Sequence, residues 1–184
     1  SAREANTILS EVTSLKEMDT QFTNFIKKTL KTDQVNLLIQ KGSMFSSISH
    51  NHSKEATLLP SGNIIAQTLL NDPEPLYKNT LNRSFDGIKL TALKNSFETN
   101  EITLVTGIFD EEHLVGLMIL GDKLNGAFYQ SSEIEFIETL SEQIALAVKN
   151  AQLYTEIQNS KNYNDLLLSN MASGVVAVDT ENQI

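Results

Sequence analysis

Apolar residues recur at Ile134, Ile137, Leu140, Ile144, Ala147, Ala151 and Tyr154, in steps of three and four that lay one stripe along a helix. Residues 131–168 contain neither Gly nor Pro, so nothing in that run stops the helix. Leu146, Leu153, Ile157 and, further on, Leu167 form a second stripe on a neighbouring face. One seam covers a domain core. The other needs another partner, and a helix that outruns its domain finds one in a copy of itself by the heptad logic of coiled coils. Ser132 with Glu135 three residues later reads as a capping box, and Glu133 favours the positive end of the helix.

The N-terminal part repeats the theme. Ile8, Val12, Leu15, Met18, Phe22, Phe25 and Ile26 predict a helix over residues 5–30, broken near Asp19 and Thr20 where a cap can restart it. Its stripe at Ile8, Leu15 and Phe22 is thin and spaced by sevens, which suits a seam against another helix. After Asp33 the period changes. Val35, Leu37 and Ile39, the turn residues Lys41 and Gly42, and then residues 44–50 predict a first hairpin. Residues 53–59 read as a polar loop, and Ser61 as the cap of a short helix carrying Ile64, Ile65, Thr68 and Leu69, stopped before Pro73. Pro75, Leu76 and Tyr77 suit a short edge strand. Residues 79–100 carry only a hint of helix at Leu90, Leu93 and Phe97. Residues 102–109 and 114–120, joined by the turn Asp110-Glu111-Glu112-His113, predict the central strand pair, with Gly107 and Gly116 marking a bulge or a close backbone approach.

Composition narrows what such a chain does. At 184 residues and 40% hydrophobic content it suffices for one ordinary domain plus connecting helices. A formal charge of −9, spread without long blocks, argues against binding a nucleic-acid backbone. With no Cys there are no disulfides, thiolate metal sites or thioether-linked chromophores, which fits a reducing compartment. The expected location is cytoplasmic, in a parent chain that can be membrane-anchored upstream, and Ser1 without Met reads as the start of an excised piece.

The run LVGLMILGDKLNGAFY at residues 114–129, followed by IEFIETLSEQIALAVKNAQLY at 134–154, resembles the C-terminal half of GAF domains. Those end in a strand with a "vGvLxLgxKxxG" pattern and a helix reading "LxxLaxQiaxAlxNAxLy". The resemblance implies an α+β fold, GAF/PAS-like: an antiparallel five- or six-stranded sheet with long N- and C-terminal helices on one face and short helices and loops on the other. The last residues, LLLSNMASGVVAVDTENQI at 166–184, resemble the opening of a PAS domain, a helix, a Gly and a strand. The implied organisation is a helical arm at 1–30, a GAF-like domain at 31–154, a helical signalling connector at 155–168 and the truncated start of a PAS-like domain at 169–184. That order resembles bacterial sensor histidine kinases, and no kinase residues are present in this piece. Residues 171–184 are expected not to fold by themselves, since a single strand leaves its backbone groups unpaired.

His50-Asn51-His52 with His113 is the one pattern that suggests a metal or a haem, and two surface histidines in a polar loop explain it as well. Ser, His and Asp show no catalytic spacing. The Asn-Lys-x-Asp/Glu signature of the family's cyclic-nucleotide binders is absent, and the rival reading as a methionine sulfoxide reductase of this fold lacks its Cys. No catalytic residue, metal or cofactor is expected. Tyr77, Phe85, Phe97 and Phe109 are the candidates to line a small-molecule pocket between the sheet and residues 75–100, and ordinary core packing explains the same rings. Ile8, Leu15, Phe22, Leu146, Leu153 and Ile157 are the candidate homodimer interface. The function expected is that of a sensory and signal-transmitting module of a two-component kinase, passing its state to PAS and kinase domains of the same chain. The alternative is an unliganded dimerisation module of a transcriptional activator or nucleotide cyclase.

Overall fold

The computed structural model describes residues 14–49 and 57–182, and of residues 172–182 the backbone alone. Helix α1, Leu15–Leu30, starts where the Ser14 hydroxyl accepts the Glu17 N–H at 3.2 Å, and ends at Lys31 in the left-handed region, φ 54°. Met18, Phe22, Ile26 and Leu30 recur at i, i+4 and are all buried, which fixes the face α1 turns inward. No break occurs at Asp19. The residue lies inside the helix and is buried, where the Ser49 hydroxyl donates to its carboxylate.

Strands β1 (Val35–Lys41), β2 (Met44–Ser47), β3 (Leu58–Pro60), β4 (Leu76–Tyr77), β5 (Leu104–Asp110) and β6 (His113–Leu120) form one antiparallel sheet in the order β3-β2-β1-β6-β5-β4. The expected hairpins β1-β2 and β5-β6 are both present. β6 lies between β1 and β5 with both edges paired, and Leu117, Met118, Ile119 and Leu120 bury alternately in the cores on the two sides of the sheet, so its sequence is apolar on both faces. The two short edge strands have prolines, Pro60 and Pro75, in or beside them, where a missing N–H costs no ladder bond. The loop expected through Leu59 therefore ends in a strand.

The pleat sorts side chains into two cores. Leu37, Ile39, Leu104, Ile108, Met118 and Leu120 face α1 and the long C-terminal helix. Leu38, Val105, Leu117 and Ile119 face the opposite layer, built of α2 (Ile64–Asn71), a 3₁₀ turn (Lys78–Thr80), α3 (Leu81–Ser84) and α4 (Gly87–Thr99). This three-layer α+β arrangement is the one expected. Helix α2 is capped by Asn63, whose side-chain Oδ1 accepts the Ala66 N–H at 3.0 Å, and not by Ser61; Ser61 lies two residues too early to reach the free N–H groups. Across Ile108 and Phe109 the β5-β6 register shifts by one residue, leaving Val115 as the extra residue of a bulge. Gly116 beside it has no room for a side chain, since a Cβ there would stand 2.5 Å from the Leu38 carbonyl oxygen.

Helix α5 runs unbroken over Ser131–Asn182, 52 residues or roughly 78 Å at 1.5 Å per residue. Its first turn is not held by Ser132 and Glu135. Glu133 reaches back to accept the Gln130 N–H at 2.8 Å, a capping interaction two residues earlier that Lys123 reinforces by pairing with the same carboxylate. Ile137, Leu140, Ile144, Ala147, Val148 and Ala151 bury against the first core; beyond Ala151 no side chain through Met171 is buried. The strand expected after Gly174 is helix up to Asn182. A lone strand has no neighbour to take its N–H and C=O groups, whereas a helix satisfies them within its own backbone. No helix among the described residues is long and apolar enough to cross a membrane.

Candidate functional site

Two features of the described residues stand apart from ordinary packing: a small cleft beside β4, and the root of α5. The cleft lies where α2 ends and the chain turns through β4 into α3. Thr68, Asp72, Leu76, Tyr77, Thr80 and Phe85 are among the residues lining its volume of about 60 Å³. That is room for a few waters, against the roughly 300–1,000 Å³ of pockets that enclose drug-sized molecules. Two of its hydroxyls serve the backbone, Thr68 donating to the Ile64 carbonyl at 2.7 Å and Thr80 to that of Tyr77 at 3.1 Å. Asp72 accepts the Glu74 N–H at 3.3 Å, and the Lys89 ammonium sits 4.9 Å from the centre of the Phe85 ring.

Of the four rings expected to line a pocket, only Tyr77 and Phe85 border this cleft. Phe97 is fully buried in the second core, and Phe109 is half-buried against that core with its ring over Gly107, where it fills the space a Cβ would take. Sequence alone places all four near the irregular segment without showing which the helices of that layer consume.

Tyr77 also reaches the root of the long helix. Its hydroxyl oxygen accepts the buried Tyr129 N–H at 3.1 Å and an Asn79 side-chain N–H at 3.2 Å, and the two tyrosine rings meet edge to face at 6.1 Å. Tyr129 in turn donates its hydroxyl to the Gly121 carbonyl at 2.7 Å. Burial pushes the Tyr129 phenol up to about 12. The Lys123 ammonium lies 5.8 Å from the Tyr129 ring centre and 2.5 Å from Glu133. Burial opposes ionisation of Glu133, but the hydrogen bonds from Lys123 and the Gln130 N–H outweigh it and hold its carboxyl below the usual glutamate range. Thr32 after α1 donates to the Asp122 carbonyl at 2.9 Å, so the end of α1, β4, the end of β6 and the start of α5 meet at one junction. Glu133 and the GDKLNG turn stand out in the sequence, whereas the signal for Tyr129 is only an aromatic between a turn and a helix start.

The expected interface residues divide. Leu146, Leu153 and Ile157 are 52%, 46% and 64% exposed along one line of α5. Phe22 is wholly buried in the chain's own core and Leu15 packs half-buried on it, because the inward stripe of α1 runs through Met18, Phe22 and Ile26. Ile8 lies outside the described residues, as do His50 and His52. His113 is exposed at the β5-β6 turn, and no group of three or more His, Cys, Asp or Glu among the described residues can hold a metal ion. Asp19 reads from sequence as a helix break, and an acid on the stripe between Leu15 and Phe22 is a visible anomaly. Burial raises its carboxyl above the ordinary range, against the pull of the Ser49 hydroxyl and Lys27.

The sequence model of the GAF domain matches residues 20–148. Solved structures give the same fold at low identity. A methyl-accepting chemotaxis protein, residues 122 to 287, aligns over 81% of this chain and 97% of its own with a TM-score of 0.62 and 10% identity. The GAF domain of a two-component sensor histidine kinase from Bacillus halodurans aligns over 78% and 99%, with a TM-score of 0.51 and 17% identity. A phycoerythrobilin-bound GAF domain from a cyanobacterial phytochrome aligns over 82% and 94%, with a TM-score of 0.59 and 17% identity. No curated protein sequence matches the chain.

Proposed function

The chain belongs to the GAF domain family, and on that premise we propose that it is the sensory and signal-transmitting module of a two-component sensor histidine kinase, homodimeric through its helices and cytoplasmic. The observation that carries the proposal is α5: it leaves the domain after Ala151, continues for 31 residues to Asn182, and exposes an apolar line that the chain itself does not cover. A helix of that kind is an output element, because a change at its root reaches its far end as a choice between packings. The junction of Tyr77, Tyr129, Lys123 and Glu133 supplies the root, and the cleft at Tyr77 and Phe85 the place where a small ligand acts on it. A GAF domain and a further domain of two-component sensor histidine kinases among the structural neighbours support the parent; in this reading the PAS-like residues 169–184 open the next module. Nucleic acid has no part in this reading, given the charge of −9.

Replacing Leu146 and Leu153 together with Glu tests it. Light scattering should show the parent protein as a dimer and the double variant as a monomer, with a cooperative thermal melt that shows the domain still folded. An unchanged dimer would rule out this helix as the output interface. The small volume of the cleft favours a second reading, an unliganded dimerisation module of a transcriptional activator or nucleotide cyclase. Native mass spectrometry of protein taken from cell extract separates the two: a bound mass supports the sensor, and bare protein from every growth condition supports the spacer.

A further inference from the structure

We infer that α5 pairs with α5 of a second copy in parallel and in register, with Asn150 and Asn164 each facing their own counterparts and Glu156 of one chain paired to Lys161 of the other. The inference rests on the reading of α5 as the output helix and adds its partner, direction and register. At about 100° per residue, Leu146, Leu153 and Ile157 lie about 180° around the helix from Ile144, Val148 and Ala151, which bury in the chain's own core. The exposed line therefore points away from the domain, so a second helix can lie on it without displacing anything.

The spacing of that line is a heptad. Leu146, Leu153, Ser160 and Leu167 fall at d, and Asn150, Ile157, Asn164 and Met171 at a, over nearly four repeats. All eight are exposed within one chain. A parallel pair in register stacks a on a, so Asn150 meets the partner's Asn150 and Asn164 the partner's Asn164, and each amide finds a hydrogen-bonding mate. An antiparallel pair sets a against d and would press each Asn amide on Leu or Ser. The flanks agree. Glu156 is at g and Lys161, five residues on, at e, which is the g-to-e′ spacing of opposite charges across a parallel seam. Neither makes an ion pair among the described residues, whereas Lys149, the preceding g residue, is engaged with Asp110 of its own domain at 3.4 Å.

Absence of Cys gives a silent background for the test. Asn150→Cys and Ser160→Cys, made separately in the full chain and treated with a mild oxidant, should both yield disulfide-linked dimers. An antiparallel pair can bring only one of the two opposite itself, because a residue 10 positions from the two-fold axis stands about 30 Å from its copy. Cross-linking at one site alone, in a protein that light scattering shows to be dimeric, would overturn the direction while leaving the output role of α5 standing. A monomer at all concentrations would overturn both. For register, Glu156→Lys and Lys161→Glu should each weaken self-association on the order of tenfold at low salt, and an equimolar mixture of the two should recover it as a heterodimer. Equal affinity in the pure and mixed samples would overturn the Glu156 to Lys161 pairing.

Discussion

Tyr77→Phe removes one oxygen and leaves the ring. In the folded chain that oxygen accepts the Tyr129 N–H at 3.1 Å in a buried position, and the Asn79 amide at 3.2 Å nearer the surface. Asn79 is exposed and turns to water at little cost. The Tyr129 N–H cannot do so, and a buried donor stripped of its acceptor costs about 1–3 kcal/mol. The edge-to-face contact of the rings survives, so packing returns little of that. With a urea slope of about 2 kcal/mol per molar, a loss near 2 kcal/mol lowers the midpoint by about 1 M at unchanged slope. Amide exchange locates the loss: the Tyr129 N–H should exchange roughly 10 to 100 times faster, along with the first turn of α5, while the centre of β6 changes only with the global stability. Repeating the substitution in a Tyr129→Phe background should give the same decrement, because the donor is the backbone of residue 129 and not its side chain. A midpoint within 0.2 M of the parent, with Tyr129 exchange unaltered, would refute the assignment of this bond as the tie between β4 and α5.

Other expectations follow from the same geometry. Since the Tyr129 phenol ionises near 12 when folded and near 10 when unfolded, its neutral form favours the fold; that contribution, about 2–3 kcal/mol, is intact below pH 10 and is lost as pH rises toward 12. Thermal melts across that range should show the loss, and Tyr129→Phe should abolish this part of it. Asp19 is raised too, so its protonated form is the one the fold prefers: stability from this group is present below its ordinary value near 4 and falls as pH climbs through the raised value. Asp19→Asn should therefore melt higher than the parent at pH 7 and lose the advantage at pH 3. Gly116→Ala drives a methyl to 2.5 Å from the Leu38 backbone oxygen and should cost at least the ~1–3 kcal/mol of an overpacked core, whereas at Gly107 the obstacles are side chains, the half-buried Phe109 ring and the tip of Leu114, which can shift, so Gly107→Ala should cost less in denaturant titrations.

Strands and long helices were legible because burial leaves a period in the sequence. Residues 114–120 read as a central strand since both faces of β6 are covered, and the stripe from Ile137 to Ala151 is the face that α5 buries. What failed were local choices that depend on distant atoms. Asp19 looked like a helix break because a carboxylate is a poor core residue, and only the Ser49 hydroxyl, 30 positions away, explains its tolerance. The cap of α5 moved to Gln130 because Lys123 draws Glu133 back, a contact no short-range motif encodes. Phe22 shares its spacing with a seam and its face with a core, and periodicity gives the spacing alone. Phe97 and Phe109 pack on the second core and do not border the cleft, a distinction periodicity does not carry, because an apolar ring is equally suited to line a void or to fill one. The residues after Gly174 carry a strand-like pattern, and with no neighbouring strand beside them among the described residues the backbone is helical.

The stretch of α5 beyond Ala151 has the dimensions of a lever. Its free part measures about 46 Å, and its fulcrum is the short segment between Gly121 and Glu133, where one phenol, one ammonium and one carboxylate set the angle at which the helix departs. A tilt of about 5° there, the kind of change that a shift of a few tenths of an ångström across the first turn produces, sweeps the far tip, about 74 Å from Glu133, through about 6 Å, slightly more than the pitch of the helix. Amplification of that sort asks little of the input. A site with room for only a few waters is then large enough to matter, since what counts is its position beside the fulcrum and not the bulk of what enters it.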